Sequence, residues 1–178
     1  MVGARALDRD RVAPVVLALG TVALAVRPIS APAVAATALV GVTGMLAWER
    51  ARERHSILRW IAVVVAGIAA FSSSLAMGTT FPAYVAAGPV VAVAVAAIAE
   101  EAFFRRFMYG WLERRRGALI AIAVPALLFA LIHLPIYGVV VLPLDLAAGA
   151  LLGWQRWATG TWTAPAVTHL AANLVQFL

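Results

Sequence analysis

Apolar runs follow one another along the chain, at roughly 12–26, 29–48, 57–77, 83–112, 118–134, 139–155 and 162–178. Runs of this kind suit membrane-spanning helices, which take about 17 to 25 residues each. The breaks between them carry helix-ending or charged residues. They fall at Arg27-Pro28, over 49–59, and at Gly78-Thr-Thr-Phe-Pro82. Further breaks fall at Arg114-Arg-Arg-Gly117, at Leu134-Pro-Ile-Tyr-Gly138, and from Arg156 to Thr161. The expected fold is all-α: a polytopic membrane helix bundle of about seven transmembrane helices, one integral membrane domain over 1–178. Gly41-Val-Thr-Gly44 and Gly149-Ala-Leu-Leu-Gly153 put small residues where helices pack closely. No internal repeat, low-complexity tail or soluble domain interrupts the pattern.

Composition strengthens this picture. Hydrophobic residues make up 64% of the 178 positions and charged ones 12%, which excludes an ordinary soluble domain. Arg5, Arg9 and Arg11 before the first run, with Ser30-Ala-Pro-Ala33 after it, imitate a signal peptide. A second apolar run starts at once, so a retained first span is expected, with cleavage as the alternative. The net charge of +6 comes entirely from arginine against fewer acids. These arginines lie between apolar runs and form no stripe, so they set topology and do not bind nucleic acid. Arg5, Arg9, Arg11, Arg50, Arg52, Arg54, Arg59, Arg156 and the five between 105 and 116 fall on one side, leaving only Arg27 on the other. The positive-inside rule then puts the N-terminus in the cytoplasm and the C-terminus outward, in a plasma (inner) membrane. Trp48, Trp60, Trp111, Trp154, Trp157 and Trp162 stand near span ends, where interfacial aromatics belong. With no cysteine, thiol catalysis and disulfides are excluded.

Ionisable groups inside such runs need a reason, because a charge at mid-bilayer costs about 2.5 kcal/mol or more. Glu100 and Glu101 end the apolar stretch 90–99. On a helix Glu101 and Arg105 are i and i+4, the favourable order for an ion pair. Glu100 is turned about 100° away and is left for chemistry. The plain alternative pairs both glutamates with Arg105 and Arg106 in the headgroup region. His133 is matched to Glu100: the two are symmetric about Arg116-Gly117, so a hairpin puts them at one height on adjacent helices. Alone, His133 reads as an interfacial histidine before Pro135. His169 and Asn173 share one face of the last helix, which serves either a site or helix–helix hydrogen bonding. Asp145, the one aspartate inside an apolar run, is expected to cap or pack its helix. His55 lies in the charged loop and is expected to be solvated.

Together these groups supply what water-mediated amide hydrolysis needs. A carboxylate takes a proton from water within hydrogen-bond reach, and a histidine beside it orients the water or protonates the leaving amine. A second histidine and an asparagine donate to the developing oxyanion, each donor worth about 3 kcal/mol.

Three segments resemble the motifs of the CPBP family, the CAAX proteases and bacteriocin-processing enzymes also called the ABI family. They are Glu100-Glu101-x-x-x-Arg105, Phe129-x-x-x-His133 and His169-x-x-x-Asn173, in that order on separate helices. The flanks Phe104-Arg-Arg and Thr159-Gly-Thr-Trp-Thr-Ala-Pro-Ala166 match as well. The resemblance covers about 85–178, the motif-bearing core, and leaves 12–77 as accessory helices without a motif. It implies a glutamate-dependent intramembrane endopeptidase similar to the type 2 CAAX prenyl protease. Glu100 would activate water with help from His133. His169 and Asn173 would form the oxyanion site, and Glu101 and Arg105 would support it. Implied substrates are membrane proteins, or lipidated or tagged peptides, met at the lipid bilayer.

Three other readings compete. Glu100, His133 and His169 could hold zinc as a two-histidine, one-glutamate set with an open position. The expectation is no cofactor, since there is no H-E-x-x-H, and Asn173 suits an oxyanion better than zinc. A non-catalytic membrane immunity or scaffold protein could keep the same fold. A transporter could use the buried charges as a proton relay.

Overall fold

The computed structural model describes residues 2–26, 33–46, 56–76 and 90–175. Among these, every regular element is helical and there is no strand. The elements are α1 (Val2–Val26), α2 (Ala33–Leu46), α3 (Ile57–Ala76) and α4 (Val90–Glu101). A π-helical segment (Ala102–Met108) leads straight into α5 (Tyr109–Tyr137). A short 3-10 turn (Val139–Val141), α6 (Leu142–Thr159) and α7 (Thr163–Val175) follow. The breaks expected at Arg27-Pro28, 49–55 and Gly78 to Pro82, the first part of helix four at 83–89, Trp48 and His55 lie outside the described residues.

The all-α expectation holds, while the count of seven spans is not shown. Two stretches, Val90–Tyr137 and Val139–Thr159, are long and apolar enough to cross a membrane. Arg11–Val26, Ala36–Leu46 and Ile57–Ser73 are shorter apolar helices. The first long stretch is broken inside α5 at Gly117, whose φ of 79° and ψ of 173° leave the helical region. A positive φ suits glycine, which has no Cβ to clash. The turn read from Arg114-Arg-Arg-Gly117 is therefore present, with Arg114, Arg115 and Arg116 exposed beside it.

Two other breaks fall later than expected. α5 continues through Pro135 to Tyr137, and α6 continues through Arg156 to Thr159. Both ends coincide with a glycine of positive φ, Gly138 and Gly160. The N–H of Gly160 reaches back to the Arg156 carbonyl at 3.0 Å and closes α6. The π-helical turn is a further departure, since regular α-helix was expected over the whole of 83–112.

Polarity runs inside out. Leu19, Leu46, Leu119 and Val140 are exposed, while Glu101, Arg105, Gln155 and Thr168 are fully buried. Lipid is the solvent in which this distribution is stable, because it rewards an apolar exterior and confines polar groups to the protein interior. The buried apolar cluster joins Leu17 and Leu24 of α1, Val40 of α2, Phe103, Phe104 and Met108 of the π segment, and Phe129 and Ile132 of α5. Arg105 and Arg156 are buried too. These two arginines therefore belong to the core, not to the topology-setting charge assigned to them from their position between runs.

The small-residue pairs mark close approaches, as expected. A Cβ at Gly41 would lie 2.7 Å from Ala99 Cβ, so α2 meets α4 there. A Cβ at Gly149 would lie 2.8 Å from Ala126 Cα, so α6 meets α5 backbone to backbone. Gln155 of α6 donates to the Val63 carbonyl of α3 (2.8 Å) and to Thr168 Oγ1 of α7 (2.9 Å). The motif-free helices α2 and α3 thus clamp the motif-bearing ones from outside.

Candidate active site

The hairpin made by α4, the π segment and α5 brings the first two motifs together. His133 Nε2 stands 3.9 Å from Glu100 Oε2. The rings of Phe104 and Phe129 meet edge to face, with centroids 6.1 Å apart. Both pairs are symmetric about the same point between Arg116 and Gly117, so the antiparallel register counted along the sequence is the register of the fold.

Helix phase separates the two glutamates, as their adjacent positions require. Glu100 faces His133. Glu101 faces Arg105, whose Nη1 donates to Glu101 Oε1 at 3.0 Å. The same oxygen lies 2.9 Å from His169 Nδ1. Glu101 therefore joins the first motif to the third, a role the sequence reading gave only to its pairing with Arg105. His169 was expected to form the oxyanion site with Asn173; its Nδ1 is held by Glu101. A carboxylate only accepts, so His169 carries a proton on Nδ1 and turns Nε2 away from Glu101. Asn173, one turn further along α7, is half-buried and hydrogen bonds to none of the others among the described residues.

Arg105 is the structural centre. Its Nη2 donates to the Gly149 carbonyl at 3.2 Å, and its guanidinium lies 4.8 Å from the Phe129 ring centroid. The π-helical turn adds a further tie. The N–H of Tyr109 bonds to the Phe104 carbonyl, five residues back, and so is not available to the Arg105 carbonyl. That carbonyl accepts from Arg156 Nε at 3.0 Å instead. π-turns inside α-helices occur often at functional sites, and this one follows directly on the two glutamates. Arg106 donates to the carbonyls of Gly44 and Met45, closing the C-terminal end of α2.

Phe129 is the wedge between the histidines. Its ring centroid is 4.6 Å from that of His133 and 5.5 Å from that of His169, each edge to face. Tyr137 stacks on the His133 ring at 5.7 Å. His133 Nδ1 lies 2.8 Å from the Phe129 carbonyl. Asp145 was expected to cap or pack α6. It makes no side-chain cap on α6, is buried, and points Oδ2 to within 4.0 Å of His133 Nδ1. Its one sequence signal was being a lone aspartate in an apolar run.

Among the described residues no group of three or more His, Asp or Glu side chains is gathered to hold a metal ion. Nδ1 of each histidine is engaged, by the Phe129 carbonyl in one case and Glu101 in the other, which leaves Nε2 as the nitrogen each could offer to a ligand.

A family model described as Rce1-like, type II CAAX prenyl endopeptidase Rce1-like, matches residues 82–175. No curated protein and no solved structure matches the chain.

Proposed function

The chain belongs to the Rce1-like family of type II CAAX prenyl endopeptidases, and from that premise we propose that it hydrolyses a peptide bond of a membrane-associated substrate with a water activated by Glu100. The observation that carries this reading is the pair Glu100 and His133, facing each other at 3.9 Å. That gap is too long for a direct hydrogen bond and suits a water bridging the two groups.

In the proposed reaction Glu100 takes a proton from this water as its oxygen attacks the scissile carbonyl carbon. His133 holds the water in line and then protonates the leaving amine as the C–N bond breaks. His169 and Asn173 donate to the oxyanion, His169 through Nε2 when its ring carries both protons. Glu101 and Arg105 position His169. The proposed steps use no metal. Core residues 85–178 do the chemistry within one membrane domain, and α1 to α3 brace them.

Lipidated CAAX-type tails, leader peptides or C-terminal tags of membrane proteins are the substrate classes that fit. The proposed setting is a plasma (inner) membrane with the N-terminus cytoplasmic and the C-terminus outward. The test is a comparison of membrane proteomes from cells making wild-type protein, Glu100→Gln or His133→Gln, all at equal level. Substrate that accumulates uncut with both variants supports the reading and names the target. Identical proteomes across the three would instead favour the non-catalytic immunity or scaffold role. Chelation of purified protein should leave turnover intact; loss of stoichiometric zinc together with activity would restore the metal reading.

A further inference from the structure

His133 stands between two carboxylates. Glu100 approaches its Nε2 at 3.9 Å and Asp145 approaches its Nδ1 at 4.0 Å. Asp145 is 5% exposed, and its Oδ2 is buried with no hydrogen-bond donor among the described residues. An ionisable group in an apolar helix is costly, and this one makes neither a helix cap nor a hydrogen bond through Oδ2 that would explain it structurally.

Helix packing puts it there. Gly149 lets α6 press against Ala126, and the two helices run antiparallel, so Asp145, one turn from Gly149, comes level with the turn of α5 after Ala126. The His133 side chain leans back toward the N-terminal end of its helix, as helical side chains do, and so descends to Asp145. The same face of α6 presents Gly149 to Arg105 and Arg156 to the Arg105 carbonyl. One helix face thus addresses both the brace and the histidine.

The chemistry follows from what faces each ring nitrogen. Nδ1 meets the Phe129 carbonyl at 2.8 Å, with the Asp145 carboxyl 4.0 Å away, and a carbonyl only accepts. The ring proton therefore sits on Nδ1, and Nε2 presents its lone pair toward Glu100. The charged and titratable groups around this ring are Glu100 from α4 and Asp145 from α6, with Arg105 and His169 across the Phe129 ring and Tyr137 stacked outside.

We propose that Asp145 is a positioning residue for His133: it helps hold the ring proton on Nδ1 and balances the charge His133 gains when Nε2 takes up a proton. The inference rests on the Glu100 and His133 reading above. Through the cycle the proton leaves water for Glu100 and passes to His133 Nε2. It ends on the amine nitrogen as the C–N bond breaks. Asp145 takes no proton itself, and acts as the carboxylate behind a catalytic histidine does in hydrolytic triads.

The decisive measurement is the ¹⁵N spectrum of histidine-labelled protein in detergent, which needs no substrate. The chain has three histidines, so a His133→Gln sample assigns the resonances. Wild-type His133 should show Nδ1 protonated. Asp145→Asn, which can donate to Nδ1, should shift population toward the Nε2–H form. In turnover of a fluorogenic farnesylated CAAX peptide, Asp145→Asn should lower kcat about tenfold or more, the low side of general acid–base contributions. KM should stay within about twofold, and Asp145→Glu should recover part of kcat. An unchanged His133 spectrum, or an unchanged kcat, overturns the inference. If both Asp145 variants fail to fold, the residue is structural and the inference also falls. Glu100→Gln inactive beside a fully active Asp145→Asn overturns this inference alone, whereas a fully active Glu100→Gln overturns the reading beneath it. If wild-type protein leaves the peptide uncut, the spectrum decides by itself.

Discussion

Glu101 and His169, 68 residues apart in the chain, meet through a 2.9 Å contact from Nδ1 to Oε1. The same oxygen accepts from Arg105 at 3.0 Å. One carboxylate oxygen therefore fixes an arginine on its own helix turn and a histidine on the last helix. Adjacent glutamates here have opposite duties. Glu101 holds the site together, while Glu100 is turned toward His133.

Removing the Glu101 charge should accordingly damage the fold more than removing the Glu100 charge. In Glu101→Gln the fully buried Arg105 loses its ionic partner, and breaking one half of a buried pair costs about 3–5 kcal/mol. Glu100→Gln should unfold near the wild-type midpoint. SDS titration of protein in mixed micelles, followed by tryptophan fluorescence, measures both. Equal midpoints for the two variants would contradict the division of roles.

Phe129 contacts both histidines and the Arg105 guanidinium with one ring. Phe129→Leu keeps apolar volume but removes the flat surface on which these groups rest. Aromatic contacts of this kind are worth about 0.5–1.5 kcal/mol beyond area burial, so stability should fall modestly. Activity should fall further, about tenfold, because loosening a site by about 1 Å costs rate steeply. Parallel unfolding and turnover measurements on the variant check the imbalance. A loss of activity no larger than the loss of stability predicts would make Phe129 mere packing.

How much of this was readable beforehand depended on the kind of signal. The pairing of Glu100 with His133 was legible because a hairpin converts sequence distance into height, and Gly117 marks the centre. Glu101 with Arg105 was legible because i,i+4 geometry is local. The contact of His169 with Glu101 was not, since it depends on how α7 rotates against α4, and counting gives height without rotation. Arg156 was misjudged, and capping was expected of Asp145, for one reason: each lies near the end of an apolar run, where topology and capping are the ordinary uses of charge. The π-turn left no mark in the residue pattern.

The hairpin itself is open to a conformational test. Gly117 has a φ of 79°, and a Cβ there would meet nothing within 4 Å. Steric crowding by neighbours is therefore absent, and Gly117→Ala should cost only backbone strain, of order 1–3 kcal/mol. Gly117→Asn should cost about as much as Gly117→Ala, because a ψ of 173° lies outside the left-handed helical region that asparagine tolerates. Unfolding midpoints of the three proteins test both expectations. Alanine matching glycine would show that the break at this position imposes no such backbone demand.

The last prediction concerns Gly149, where space and not backbone angle is the constraint. A Cβ at this position would lie 2.8 Å from the Ala126 Cα and 3.0 Å from the Ala126 carbonyl oxygen, both main-chain atoms of α5. Neither yields without moving the helix. Gly149→Ala should therefore separate α6 from α5, at a cost of about 1–3 kcal/mol for overpacking. Two functional contacts ride on this approach. The Gly149 carbonyl accepts from Arg105, and Asp145, one turn away on the same face, reaches His133. Displacing α6 by a fraction of an ångström should weaken both together. Gly149→Ala should then lose more turnover than its stability change accounts for, with no charged or hydrogen-bonding side chain altered. Gly153, one turn further, offers the control. There the nearest atom is a methyl of the Ile122 side chain at 3.1 Å, and the nearest main-chain atom, the Ile122 Cα, stands at an ordinary 3.4 Å. Gly153→Ala should keep more of both stability and turnover than Gly149→Ala. The reverse order, measured by the same unfolding and turnover assays, would place the critical helix contact at Ile122 and detach the α6 packing from the site.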